Sequence, residues 1–141
     1  KEKMADNVIF LGFVKNVSDL NNIMYLQINA SSFEALGLAV IEGMRLGVPA
    51  VVSSFGGNPE VVADGVNGYV INGQNPEEFA EKIMKLLDDE ELYKKLSAGA
   101  LEVFENKFAA KAMTENMEKF YMEVLKTYPG KFSSKELIEG K

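Results

Sequence analysis

The sequence predicts an α/β fold, a parallel sheet of about four strands flanked by helices, with more helices toward the C-terminal end. Three observations carry that expectation. Short apolar runs alternate with segments of helical periodicity. The runs are apolar throughout rather than alternating, as suits strands covered on both faces of a parallel sheet. Glycine, proline and asparagine punctuate the junctions between them. A chain of 141 residues fits one domain and can bury a substantial core.

Val8-Ile9-Phe10-Leu11, closed by Gly12, reads as the first buried strand. Ser18-Asp19 can cap a short helix over 18–24. A second strand is expected over 26–30, running on to Ser31-Ser32. Leu38, Ile41 and Met44 stand at helical spacing, and Gly47 supplies a stop. Ala50-Val51-Val52-Ser53 is the third strand. Gly56-Gly57-Asn58-Pro59 is a turn, with Pro59 placed to open a short helix. Asp64-Gly65 and Asn67-Gly68 are turn dipeptides before a fourth strand, Gly68-Tyr69-Val70-Ile71. Asn75, Pro76 and Glu78 form the start of a capped helix whose inward stripe is Phe79, Ile83, Leu86 and Leu87. Two more helices follow over 90–105 and 110–127. The last has Met113, Met117, Phe120, Tyr121, Val124 and Leu125 on one side. A polar tail is expected over 129–141.

Composition narrows the function. The chain is 47% hydrophobic and 26% charged, as in ordinary globular proteins. A net charge of −6 argues against nucleic acid as a partner. The absence of cysteine removes a disulfide framework and a thiol nucleophile. The absence of histidine removes the commonest general base and transition-metal ligand. No apolar run reaches the roughly 20 residues of a membrane span, and no signal segment opens the chain.

In parallel sheets, ligands bind beyond the carboxyl ends of the strands. Here that end holds the loops 12–16, 31–37 and 53–58. Gly37 lies where a strand gives way to a helix, so backbone N–H groups there can approach an anion. Glu42, four residues after Leu38, shares a helix face with it. Glu34 precedes the helix. Two carboxylates around an anion site suit a phosphate carried between two sugars. Each residue also has a plainer reading: Glu34 as a dipole partner, Glu42 as a solvated side chain, Gly37 and Gly56-Gly57 as turn glycines.

Glu34 and Glu42 reproduce a Glu-x7-Glu motif. Glu34-Ala35-Leu36-Gly37-Leu38 is similar to Glu-Gly-Phe-Gly-Leu, and Ile41-Glu42-Gly43-Met44 to Leu-Glu-Ala-Met. With Val8 to Val14, Gly47 to Val52, Gly56 to Val62 and Asp64 to Val70, these are five motifs in order. Over about residues 5–127 the chain resembles the nucleotide-sugar-binding half of retaining GT-B enzymes of glycosyltransferase family 4. The resemblance implies a partial Rossmann-like domain over 1–128, shortened at its N-terminal side. It implies that Glu42 binds the donor ribose and that Glu34 holds hydroxyls of the transferred sugar, the catalytic assignment. The Gly37 and Leu38 amides would face the diphosphate, and backbone near Val14 the base. It implies no cofactor and no metal, the nucleoside diphosphate sugar being the substrate. Leu36, Ala35 and Gly43 depart from the family's phenylalanine, glycine or proline, and alanine, which leaves donor identity open.

The resemblance further implies that two strands, the basic diphosphate clamp and an N-terminal acceptor domain are missing, so that the chain alone is inactive. Three alternatives stand: a non-catalytic subunit of a split transferase, a fragment of a GT-B sugar epimerase, and a degenerate fold without a ligand in which the glutamates are only surface residues. Location is expected to be cytoplasmic, with peripheral membrane association open to the full enzyme. Two structural expectations follow. Strand 8–11, deprived of its neighbours, should slide beside strand 26–30 or pair with another chain. The stripe of the last helix should lack part of its packing partner and favour self-association or fraying.

Overall fold

The computed structural model describes residues 7–128. The expected tail at 129–141 lies outside them. Three parallel strands form one sheet in the order β1 (Gln27–Asn29), β2 (Ala50–Ser53), β3 (Gly68–Ile71). Ile28 lies opposite Val51, and Val51 opposite Tyr69. Helix α1 (Val17–Asn21) precedes β1, α2 (Leu38–Met44) joins β1 to β2, and α3 (Asn58–Val61) joins β2 to β3. After the sheet come α4 (Pro76–Asp88), α5 (Glu90–Val103), a π-helical turn (Phe104–Phe108) and α6 (Ala110–Thr127).

Period two along β2 divides the core. Ala50 and Val52 face Val40, Met44, Val61, Val62 and Ala100 on one side. Val51 faces Tyr69, Ile71, Phe79, Leu86 and Leu96 on the other. Each fully buried large side chain, such as Met44, Ile71, Leu86 or Leu96, is worth about 1.5–3 kcal/mol. Tyr25 ties the entrance to β1 to the far helices: its ring stacks on Tyr93 at 3.9 Å and its hydroxyl donates to the Leu86 carbonyl at 3.1 Å. The cap at Asn75 forms as its sequence suggests, its side chain accepting from Glu77 and Glu78 N–H at 3.1 and 3.2 Å.

Several expectations are corrected. The sheet has three strands, because residues 8–11 are neither paired nor covered: Ile9 is 82% and Phe10 95% exposed. They do not slide beside β1, and they pair with no strand among the described residues. Helix α1 starts one residue early, with Asn16 rather than Ser18 at its N-cap. The buried face of α2 is Val40, Gly43 and Met44, while Leu38 is 66% exposed. Gly43, where the related motif has alanine, leaves room for the Gln27 side chain, whose amide donates to the Val40 carbonyl at 3.2 Å. On α4, Leu87 is exposed rather than inward.

Among the described residues, most of the stripe on α6 is uncovered, with only Val124 and Leu125 half-buried. Met113, Met117, Phe120 and Tyr121 are each more than half exposed, and no residue of the helix is buried. The helix nevertheless continues unbroken to Thr127. No helix of the described residues is long and apolar enough to cross a membrane.

Candidate active site

Three loops leave the carboxyl ends of β1, β2 and β3, and side chains stitch them together. Ser53, the last residue of β2, donates its hydroxyl to the Ser31 carbonyl at 2.6 Å. Ser54 accepts from the Gly73 N–H at 3.0 Å, and Gln74 donates to the Ala30 carbonyl. The Gly57 N–H donates to the Glu34 carbonyl at 2.8 Å. The sheet thus fixes the backbone of 31–37 before any ligand arrives.

Glu34 sits at the centre of that loop. Its Oε2 accepts from Asn29 Nδ2 at 3.1 Å and its Oε1 from the Gly37 N–H at 3.1 Å. The Asn29 bond, then the Gly37 amide and more weakly those of Ala35 and Leu36, hold the carboxyl below the usual glutamate range. Gly37 is the N-cap of α2 with φ +77°, a conformation that glycine adopts without strain. Gly37 was expected to turn its amide toward a diphosphate, but here that amide is engaged by Glu34. The next amides, of Leu38 and Ala39, open the helix, where no earlier helical carbonyl can accept them.

Glu42 lies one turn further along α2, exposed, in a cleft of about 490 Å³ between α1 and α2. Lys15, Asn16, Ser18, Asn21 and Arg45 also line it, and Phe104 closes one side. Neither Lys15 nor Arg45 has an ion-pair partner among the described residues. Val14 is half-buried and adjoins the cleft through its neighbour Lys15. The structure therefore brings Glu34, Gly37 and Leu38 together at the start of α2 and sets Glu42 in a separate, cation-flanked cleft. Among the described residues no cluster of three or more acidic side chains forms a metal site.

A carboxylate beside a helix start, a second one turn on, and a wall of short polar loops can hold a ligand with hydroxyls at both ends and an anion between. A family model, "Glycosyl transferases group 1", matches residues 1–103. This chain belongs to that family. It is 33% identical over 123 residues to N-acetyl-alpha-D-glucosaminyl L-malate synthase of Bacillus anthracis, covering 87% of this chain and 32% of the relative. The group 1 chain thus spans about a third of that relative's length. Its fold is that of the sucrose-phosphate synthase of Thermosynechococcus elongatus: TM-score 0.76 at 23% identity, over 88% of this chain and 32% of that one. It is also similar to an S. aureus TarM variant solved with fondaparinux, alpha-GlcNAc-glycerol and UDP: TM-score 0.74 at 25% identity, over 82% of this chain and 24% of that one.

Sequence reasoning missed several residues that shape this candidate site. Asn29 alternates with Ile28 and Gln27 in a mixed strand, and Ser53 ends an apolar one; the polar residue at each strand's end was the available signal. The Gly56-Gly57 pair is more than a turn. A Cβ on Gly56 would stand 1.9 Å from the Glu34 carbonyl oxygen, and one on Gly57 2.2 Å from that of Ala35. Both glycines let the β2 loop press against the backbone that carries Glu34.

Proposed function

We propose that this chain is the donor-recognition part of a retaining glycosyltransferase that moves a hexosyl group from a nucleoside diphosphate sugar to an acceptor. The observation that carries the proposal is the placing of Glu34 and Glu42 on either side of the first turn of α2, in a chain of the group 1 family. Glu42 takes the ribose hydroxyls, with Lys15 and Val14 toward the base. The Leu38 amide takes the diphosphate first, and Gly37 joins once Glu34 releases it. Glu34 then holds hydroxyls of the transferred sugar. The UDP bound by the TarM variant supports a nucleotide of this class.

Transfer itself needs an acceptor-binding partner and a basic diphosphate clamp, so the chain alone binds without turning over. Its setting is cytoplasmic, and the exposed α6 stripe is a self-association surface. The test is thermal unfolding with a panel of nucleoside diphosphates and their sugars. A ligand at a hundred times its Kd stabilises by about 2.7 kcal/mol. The matching nucleotide should raise the melting temperature of the wild type and raise it less in Glu42→Gln. A panel without any effect at millimolar concentration overturns the reading.

A further inference from the structure

Among the described residues, the one buried side-chain polar atom without a hydrogen-bond partner is Oδ1 of Asn58. Asn58 is 1% exposed. Its Nδ2 donates to the Ser53 carbonyl at 3.1 Å and to the Ser53 hydroxyl at 3.2 Å. The hydroxyl relays the chain to the Ser31 carbonyl. At the other end, Oδ1 faces Gly37, where an added Cβ would stand 3.4 Å away. Flipping the amide would set Oδ1 against the Ser53 carbonyl, acceptor on acceptor, so the orientation is fixed. Unpartnered buried acceptors are rare, and an apolar side chain of similar volume would avoid the penalty. What Asn58 gains in exchange is a connection, through the Ser53 hydroxyl, to the Ser31 carbonyl at the start of the Glu34 loop.

We propose that Asn58 is a positioning residue. It clamps residues 31–37 onto the end of β2 and so holds the Glu34 carboxylate under the Gly37 amide. Asn58 also follows Gly57, whose backbone N–H donates to the Glu34 carbonyl at 2.8 Å, so the segment that carries Asn58 meets the Glu34 loop at two points, Ser31 and Glu34. The functional weight of the clamp rests on the reading of Glu34 as the sugar-binding carboxylate; its geometry does not.

The experiment is an NMR pH titration of the Glu34 side-chain carboxyl in this chain, with Glu81 as an internal reference. Glu81 titrates low because of its bond to Lys82 on α4, away from the clamp. In the wild type, Glu34 should titrate below an ordinary glutamate through its bonds from Asn29 and Gly37. Asn58→Leu should move it up toward the ordinary value, and Ser53→Ala should move it part of the way, with Glu81 unmoved. Neither substitution changes charge, so a residue that only adds stability would lower the melting temperature and leave the titration alone. An unchanged Glu34 titration in folded Ser53→Ala overturns the clamp, and this variant decides the matter if Asn58→Leu does not fold. UDP-glucose, GDP-mannose and ADP-glucose added to the same samples separate the two claims. A wild type that titrates as expected but binds none of UDP-glucose, GDP-mannose and ADP-glucose refutes the donor reading and leaves the clamp standing.

Discussion

Gly56→Ala and Gly65→Ala form a matched pair that isolates what the glycine loop does for Glu34. Both glycines are left-handed, with φ +61° and +71°. Alanine in that conformation costs about 1–2 kcal/mol at either site. The unfolded-state gain from replacing glycine is also shared, about 0.4–1 kcal/mol, and cancels in the comparison. The surroundings differ. A Cβ at Gly65 meets nothing within 4 Å, whereas one at Gly56 meets the Glu34 carbonyl oxygen at 1.9 Å. That neighbour is backbone, anchored by the Gly57 N–H, and cannot swing aside as a side chain could. Overpacking of this kind adds about 1–3 kcal/mol. At roughly 4 °C per kcal/mol for a domain of this size, Gly56→Ala should melt roughly 4–12 °C below Gly65→Ala. Thermal unfolding followed by circular dichroism measures the difference. Equal losses in the two variants would mean that the loop does not press on Glu34 as the structure shows.

Other outcomes follow from the same geometry. Glu42→Gln should weaken nucleoside diphosphate binding roughly ten- to a hundredfold in calorimetry, the loss expected for a charge-assisted hydrogen bond. Glu34 has a lowered folded-state pKa, so its contribution to stability is complete above the ordinary glutamate value of about 4.3 and is lost as pH falls through the lower folded value. The stability gap between wild type and Glu34→Gln should therefore narrow on acidification below that value; a widening gap in urea titrations contradicts the assignment. The exposed apolar face of α6 should make the chain self-associate with rising concentration, and a chain ending before Ala110 should not. Sedimentation showing monomers in both removes the role given to that face.

The sequence was most legible where local signals agree. Asn75 and Pro76 announce α4 together, and the Asn75 side chain caps it as expected, accepting from the Glu77 and Glu78 N–H groups. The apolar runs at 50–53 and 68–71 become β2 and β3, because each has a neighbour on which to build a ladder. Residues 8–11 are at least as apolar and remain uncovered: strand propensity only expresses a fit to neighbours. The Glu34 and Glu42 positions were visible as a spacing, but the bond from Gly37 to Glu34 was not, since it depends on the turn of one loop. Asn29, Ser53 and Asn58 escaped notice for a related reason. In sequence they look like ordinary turn or strand-end residues, and their roles depend on how each loop folds back on its own strand end and, for Ser53, on the neighbouring loop at Ser31.

The central claim is that the start of α2 and the cleft beside it hold a nucleoside diphosphate sugar. The most direct measurement is an amide NMR titration of this chain with UDP-glucose, GDP-mannose and ADP-glucose, which registers binding even at millimolar Kd. The account predicts that one of them shifts the amides of Leu38, Ala39 and Glu42 together with those of Lys15 and Asn16. It also predicts that the Gly37 amide shifts as Glu34 releases it. Shifts confined to α6, or absent from 37–42 with all three ligands, would contradict it.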